Sequence, residues 1–311
     1  MGRGVVSENF SGMASFSSWM LPLDWRNTAL DHFFYDVATL STEEQRQVLG
    51  FPQREGAALL VAPAAAGRPI RYVPRRSFGE LEKADFSVVG VAGVGSSALG
   101  TAALARQLAD ALGQPVLGVI SGRGVENLIS EALGGWFLFR TENMVGEVFD
   151  LWRGMSESLP SFRGAGRSAA AGLFEGYYGG NTDSNSLLAL LGRFPDKIRL
   201  VVGHSKGSLL IANALRGLLL KRPEEAARLA GLGIVTLGAA IGFPAAYGKV
   251  FQVIGGADGF GALNSDAPPD HVIAGAAHHL NPAFPCCLPL TAALAVLPEG
   301  WLPPATKTGG A

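Results

Sequence analysis

The chain has only two cysteines in 311 residues, and they are neighbours, Cys286 and Cys287. Adjacent thiols cannot staple distant segments and would close a strained ring if they joined each other, so the fold has to be held by its core. Two free thiols fit a reducing compartment. Charge is scarce as well: 25 Lys and Arg against 26 Asp and Glu leave a formal net charge of −1, with no basic field for nucleic acid and no acidic face for cationic partners. Long apolar runs are missing too. The stretch Leu288 to Leu297 is about half the length a bilayer needs and is interrupted by Pro289. At the start, Arg3 is followed within a few residues by polar Ser7, Glu8 and Asn9, and the apolar segment Trp19 to Leu23 is broken by Pro22 and Asp24, which is not a signal-peptide pattern. A soluble, cytoplasmic protein is expected. Neither H-x-x-x-H nor C-x-x-C spacing occurs, and His278 and His279 are adjacent, so no metal site is expected.

What the chain has in quantity is apolar surface. With 48% apolar and 16% charged residues, it can bury one large core, and one catalytic domain with decorations is the economical organisation. Residues 1–56 form a lead-in, of which 1–12, ahead of Met13, read as a leader or an upstream start. Ser41 as N-cap, Glu44 as its capping-box partner and Gly50 as a stop predict a helix there. The aromatics Trp19, Trp25, Phe33, Phe34 and Tyr35 read as a clasp packed on the main domain, or alternatively as an acyl-chain or surface-docking element.

From residue 57 to 311, short apolar runs alternate with longer helical patterns, the signature of a mostly parallel α/β sheet. About eight strands are expected: Ala57 to Ala62, Ile70 to Val73, Ser87 to Ala92, Val116 to Ser121, Ile198 to Val202, Ile234 to Leu237, Val250 to Ile254 and Val272 to Ala274. Helices are expected at Gly100 to Leu112 and Ser208 to Leu220. Residues 122–195 are too long for one crossover and hold many aromatics and glycines, so they read as a lid or pocket insertion, or as an extra helical layer.

The fifth strand runs into Gly203-His204-Ser205-Lys206-Gly207 and on into an apolar helix. With 42 glycines in the chain, a chance G-x-S-x-G is about an even bet, so the strand-turn-helix context carries the argument. A serine on a sharp strained turn projects its hydroxyl from the sheet end, and Gly203 and Gly207 leave room where helix and neighbouring strand crowd the turn. Such a serine needs a histidine to take its proton and a carboxylate to fix that histidine's tautomer. Asp258 lies in a glycine-rich loop directly after the strand Val250 to Ile254, at the carboxyl edge of the sheet where active sites form. Asp266 and Asp270 sit in a polar, Pro-rich connection and read as solvated loop residues. His278 or His279, on the loop after the last strand, is placed to swing back over the turn. His32 and His204 are given no chemical role.

With these residues in view the chain resembles the α/β-hydrolase superfamily, in its carboxylesterase and lipase branch. The resemblance covers about residues 57 to 295 and rests on GHSKG, the GGADG acid loop and the GAAHH histidine loop in the order serine, acid, histidine. The short passage from Ile234-Val235-Thr236-Leu237-Gly238 to the acid strand is similar to class 3 lipases. Lys206 and Ser208 depart from the residues frequent in lipases, and no His-Gly pair precedes the oxyanion loop. The resemblance implies a triad of Ser205, Asp258 and His278, the last favoured over His279 by the G-x-x-H spacing. It also implies oxyanion donors at the Lys206 and Val94 amides.

The expected activity is hydrolysis of carboxylic esters, with a small-molecule or lipid-like ester carrying a short to medium acyl chain as substrate. Thioester hydrolysis or acyl transfer by the same triad is the related alternative, and a non-catalytic protein of the same fold that binds a hydrophobic ligand is the alternative of another class. No cofactor is expected. Gly93-x-Gly95 after a strand is similar to the start of a dinucleotide loop, but the third glycine falls at Gly100, and the strand at 116 to 121 ends in Ser121-Gly122-Arg123 instead of an acid for the ribose.

Overall fold

The structure, a computed structural model, describes residues 30–52, 54, 56–93, 96–121 and 182–304. Trp19, Trp25, the Val94 amide and residues 122–181 of the expected insertion lie outside the described residues.

Eight strands form one sheet in the order β2-β1-β4-β3-β5-β6-β7-β8. They are β1 (Ala58–Val61), β2 (Arg71–Val73), β3 (Val88–Val91), β4 (Val116–Val119), β5 (Leu200–His204), β6 (Gly233–Leu237), β7 (Val250–Gly255) and β8 (His271–Ile273). β1 runs antiparallel to both β2 and β4, and every pairing from β4 to β8 is parallel. The sheet is therefore a mostly parallel α/β sheet with one antiparallel edge, and each expected strand is present within one or two residues of its expected ends. Parallel strands need helical crossovers on both faces, which buries the inner strands completely and makes them read as continuous apolar runs. β3, β4, β5 and β6 are buried at every position.

Side chains alternate between the two faces, and the core divides accordingly. Val88, Leu200, Val202, Val235 and Val253 face one layer, built from α2 (Ala98–Leu112), the lead-in and a short C-terminal helix, α7 (Leu290–Ala295). Val89, Val91, Leu117, Val201 and Ile234 face the other, built from α3 (Thr182–Arg193), α4 (Lys206–Lys221), α5 (Pro223–Arg228) and a 3-10 helix at Arg75–Lys83. Residues 182–193, the end of the stretch read as an insertion, thus form a layer helix packed against α4.

The expected lead-in helix is α1 (Thr42–Leu49), and its capping box is complete: Ser41 Oγ accepts from the Glu44 amide, and the Glu44 carboxylate accepts from the Ser41 amide at 2.9 Å. Glu44 also pairs with Arg106 of α2, which is only 3% exposed. Tyr35, Val37, Leu40 and Val48 belong to the same core as the sheet. Both cysteines are free. Among the described residues, no helix is long and apolar enough to cross a membrane.

Candidate active site

β5 ends at His204, and α4 begins at Lys206, two residues earlier than the sequence pattern suggested. Ser205 makes the whole turn alone. Its backbone takes φ 53° and ψ −127°, a conformation that L-residues adopt only when their surroundings enforce it. The surroundings are Gly203 and Gly207. A Cβ at Gly207 would sit 2.2 Å from the Val91 carbonyl oxygen of β3, and one at Gly203 would sit 2.8 Å from the Ser208 amide nitrogen. Neither position can carry a side chain, so helix and strand close on the turn. The Ser205 amide donates to the Leu237 carbonyl at 2.8 Å, which ties the turn to the end of β6. The amides at the start of α4 point along the helix axis and carry the positive end of its dipole, so the Lys206 amide is of the kind that binds an anion.

The next residue along β6 joins the serine to the other two groups. Gly238 has φ +69°, and a Cβ there would lie 3.0 Å from both Cε1 and Nδ1 of His278. The His278 ring therefore packs on bare backbone one residue beyond the carbonyl that holds Ser205. Its Nδ1 meets Asp258 Oδ2 at 2.7 Å. Asp258 has a fully buried side chain, and its other oxygen, Oδ1, accepts the Gly261 amide at 2.6 Å as N-cap of the one-turn helix α6 (Gly259–Leu263). Both carboxylate oxygens are thereby committed. With Nδ1–H donated to Asp258, Nε2 is the ring nitrogen left to accept a proton. The rings of Phe260 and Phe34 stand edge-on to His278, with centroids at 4.8 and 5.9 Å.

Of the two adjacent histidines, only His278 reaches the acid. His279 is turned the other way and buried, its Nδ1 3.2 Å from the Asn281 carbonyl and its Nε2 3.0 Å from the Pro285 carbonyl. Asp266 and Asp270 serve as loop acceptors for the Gly242 and Gln252 amides, each at 2.8 Å. Gly93 leads from β3 towards the expected second oxyanion donor. It abuts the nucleophile turn, where a Cβ would meet Ser205 Cβ at 3.2 Å. Ser121 Oγ, at the end of β4, lies 3.2 and 3.1 Å from the Ala92 and Gly93 carbonyls and can donate to either.

Sequence reasoning gave no role to His204, yet it is buried at the centre of this cluster. It follows Leu200 and Val202 on the same face of β5, towards the lead-in. Its Nδ1 is 2.9 Å from the Tyr35 hydroxyl and its Nε2 is 2.9 Å from the His278 carbonyl oxygen. Burial pushes its pKa down to about 3, and the neighbouring His278 adds to the effect. The lead-in supplies three further contacts: Leu280 donates its amide to the Phe34 carbonyl at 2.8 Å, Asn281 donates its side chain to the His32 carbonyl at 2.6 Å, and Tyr35 Oη accepts the Gly93 amide at 2.7 Å. The signal available in the sequence is faint, Asp31 and Tyr35 four residues apart beside Phe33 and Phe34. Nothing in the chain order connects that pair to residues 93 or 278.

Among the described residues, no group of three or more His, Cys, Asp or Glu side chains is placed to hold a metal ion. No protein-family model, no curated protein and no solved structure matches the chain.

Proposed function

We propose that the chain is an α/β-hydrolase-fold serine hydrolase that cleaves carboxylic esters. The observation that carries the reading is the forced positive-φ turn at Ser205, tied by its amide to Leu237, next to the Gly238 backbone on which the His278–Asp258 pair packs. A structural glycine turn has no reason to hold a serine at φ 53°, nor to place a histidine with a buried carboxylate partner one residue from the strand end that anchors it.

In the proposed reaction Ser205 Oγ attacks the ester carbonyl carbon while its proton passes to His278 Nε2. Asp258 holds the ring in the Nδ1–H tautomer and stabilises the imidazolium that forms. The oxyanion is held by the Lys206 amide at the start of α4 and by the Val94 amide. Collapse of the tetrahedral intermediate breaks the acyl C–O bond, and His278 returns the proton to the departing alkoxide. A water activated by the same Nε2 then hydrolyses the acyl-serine and regenerates Ser205. Phe34 and Phe260 beside the histidine favour an apolar acyl group over a charged one.

The test is intact-mass spectrometry after exposure to a fluorophosphonate, with the native chain compared with Ser205→Ala. A single adduct that disappears in the variant supports an activated serine at this turn, and p-nitrophenyl esters of graded chain length then rank the acyl group. A well-folded protein that takes no adduct and turns over no ester overturns the reading in favour of a binding protein on the same scaffold.

A further inference from the structure

For a neutral ring, the hydrogen bonds around His204 leave only one way to place their protons. A backbone carbonyl can only accept, so the contact of His204 Nε2 with the His278 oxygen at 2.9 Å requires the proton on Nε2. A neutral ring then has a bare Nδ1, and the Tyr35 hydroxyl 2.9 Å away must donate to it. The hydroxyl oxygen in turn accepts the Gly93 amide at 2.7 Å, with Ser96 as a further side-chain partner. The result is a directed chain from the Gly93 N–H through Tyr35 and His204 to the His278 carbonyl. It runs through the residue before Ser205 and spans 58, 169 and 74 residues of sequence at its three links. All the side chains in it are buried.

We infer that Tyr35 and His204 are positioning residues, which hold the strand end at Gly93 and the base-bearing loop at His278 in one register across the nucleophile. The inference rests on the serine-hydrolase reading of Ser205. The two ends of this chain are the backbone points from which the second oxyanion donor and the general base are carried. Catalysis by preorganised groups needs both fixed to within a fraction of an ångström. The same short segment grips the loop after Gly93 at its far end as well. One turn before Tyr35, the Asp31 carboxylate accepts the Ser97 hydroxyl at 2.5 Å and the Ser97 amide at 3.3 Å. Asp31 and Tyr35 lie four residues apart on one face of a helical turn, so a single rigid element fixes positions 93 and 97 together. The lead-in on this account is part of the catalytic apparatus rather than a cover for the core.

One arm of the test needs no turnover. Imidazole 15N spectroscopy on the Ser205→Ala protein at about pH 6 should show His204 neutral and protonated on Nε2, because the ring's pKa lies near 3. An Nδ1–H tautomer, or a charged ring at that pH, overturns the proton assignment. The second arm is kinetic. Tyr35→Phe keeps the ring and removes only the hydroxyl. Per active site titrated with fluorophosphonate, its kcat should fall about 10- to 100-fold with KM within about twofold, the signature of lost preorganisation. A kcat per titrated site equal to wild type, or a loss confined to KM, overturns the positioning role even if the variant is less stable. A wild-type chain with no Ser205-dependent turnover would instead sink the hydrolase reading, and the tautomer measurement would still decide the hydrogen-bond register.

Discussion

The two faces of the sheet are both buried, but they bury different chemistry. Against α3 and α4 the sheet meets mostly carbon, with Leu187, Leu190, Phe194, Ile211 and Leu215 packed with the odd-numbered valines of β3 and β5, although Asn213 and Arg216 of α4 are buried as well. Against α2 and the lead-in the apolar packing continues, yet Asp31, Tyr35, Ser97 and His204 are also enclosed there, each hydrogen-bonded in a fixed direction. Apolar packing is tolerant: any residue of about the right size stabilises it. A buried polar chain is not, because each member left without its partner costs about 1–3 kcal/mol. Stability should therefore reside mainly on the first face and geometry at the reacting atoms on the second.

The sharpest separation comes from the reacting groups themselves. Ser205→Ala should lower ester turnover by about four to six orders of magnitude, leaving residual catalysis by the oxyanion site, while the thermal midpoint barely moves. Asp258→Asn should cost about 10⁴-fold in kcat, because an amide presents the wrong hydrogen-bonding group to Nδ1. Steady-state kinetics beside a melting curve read both, and a Ser205→Ala protein with normal kcat would end the comparison. On the apolar face, Leu190→Ala should show the reverse pattern. A loss of about 2–5 kcal/mol in denaturant unfolding is expected, with kcat per titrated site unchanged. A fall in kcat per site there would mean that both faces set the geometry of the site.

A finer test uses two of the buried ionisable groups of the polar face, Asp31 and His204. Burial raises the Asp31 carboxyl from an ordinary value of 3.8 to about 7. Between those values the folded chain keeps a proton that the unfolded chain has released, so its contribution is complete below about pH 3.8 and is lost as pH rises through about 7. His204 behaves oppositely, being lowered from 6.5 to about 3 by the same burial. Its contribution is present above pH 6.5 and is lost as pH falls towards 3. From about pH 4 to 6.5 the two slopes oppose each other. Asp31→Asn should expose the histidine alone, as a stability that rises with pH by up to about 1.4 kcal/mol per unit across that range. Unfolding free energies at half-unit pH steps would show it, and parallel profiles for the two proteins would refute the opposition. The smallest effect belongs to neither face: Arg46→Ala removes an exposed pair with Glu43 on α1 and should change stability by less than about 0.5 kcal/mol.

The strands, α1, α2 and α4, and the order serine, acid, histidine could be read along the chain, because each depends on local pattern: runs of buried β-branched residues, helical spacing, a capping box, glycines flanking one serine. Gly203 and Gly207 could be read too, since the crowding they relieve lies between elements adjacent in sequence or in the sheet. The choice of His278 over His279 rests on side-chain direction. Two neighbours on an irregular loop point apart, and only the packing of Phe260, Phe34 and bare Gly238 decides which of them meets Asp258. His204 receives no chemical role from the sequence because its partners lie 169 and 74 residues away. What the sequence determined by itself is the class of the fold and the chemical groups available to it, since periodicity and turn chemistry are local. Tertiary structure alone decided which histidine meets the acid, which groups surround His204, and that the lead-in reaches Gly93 and the loop beside His278, since these follow from contacts between segments that only folding brings together.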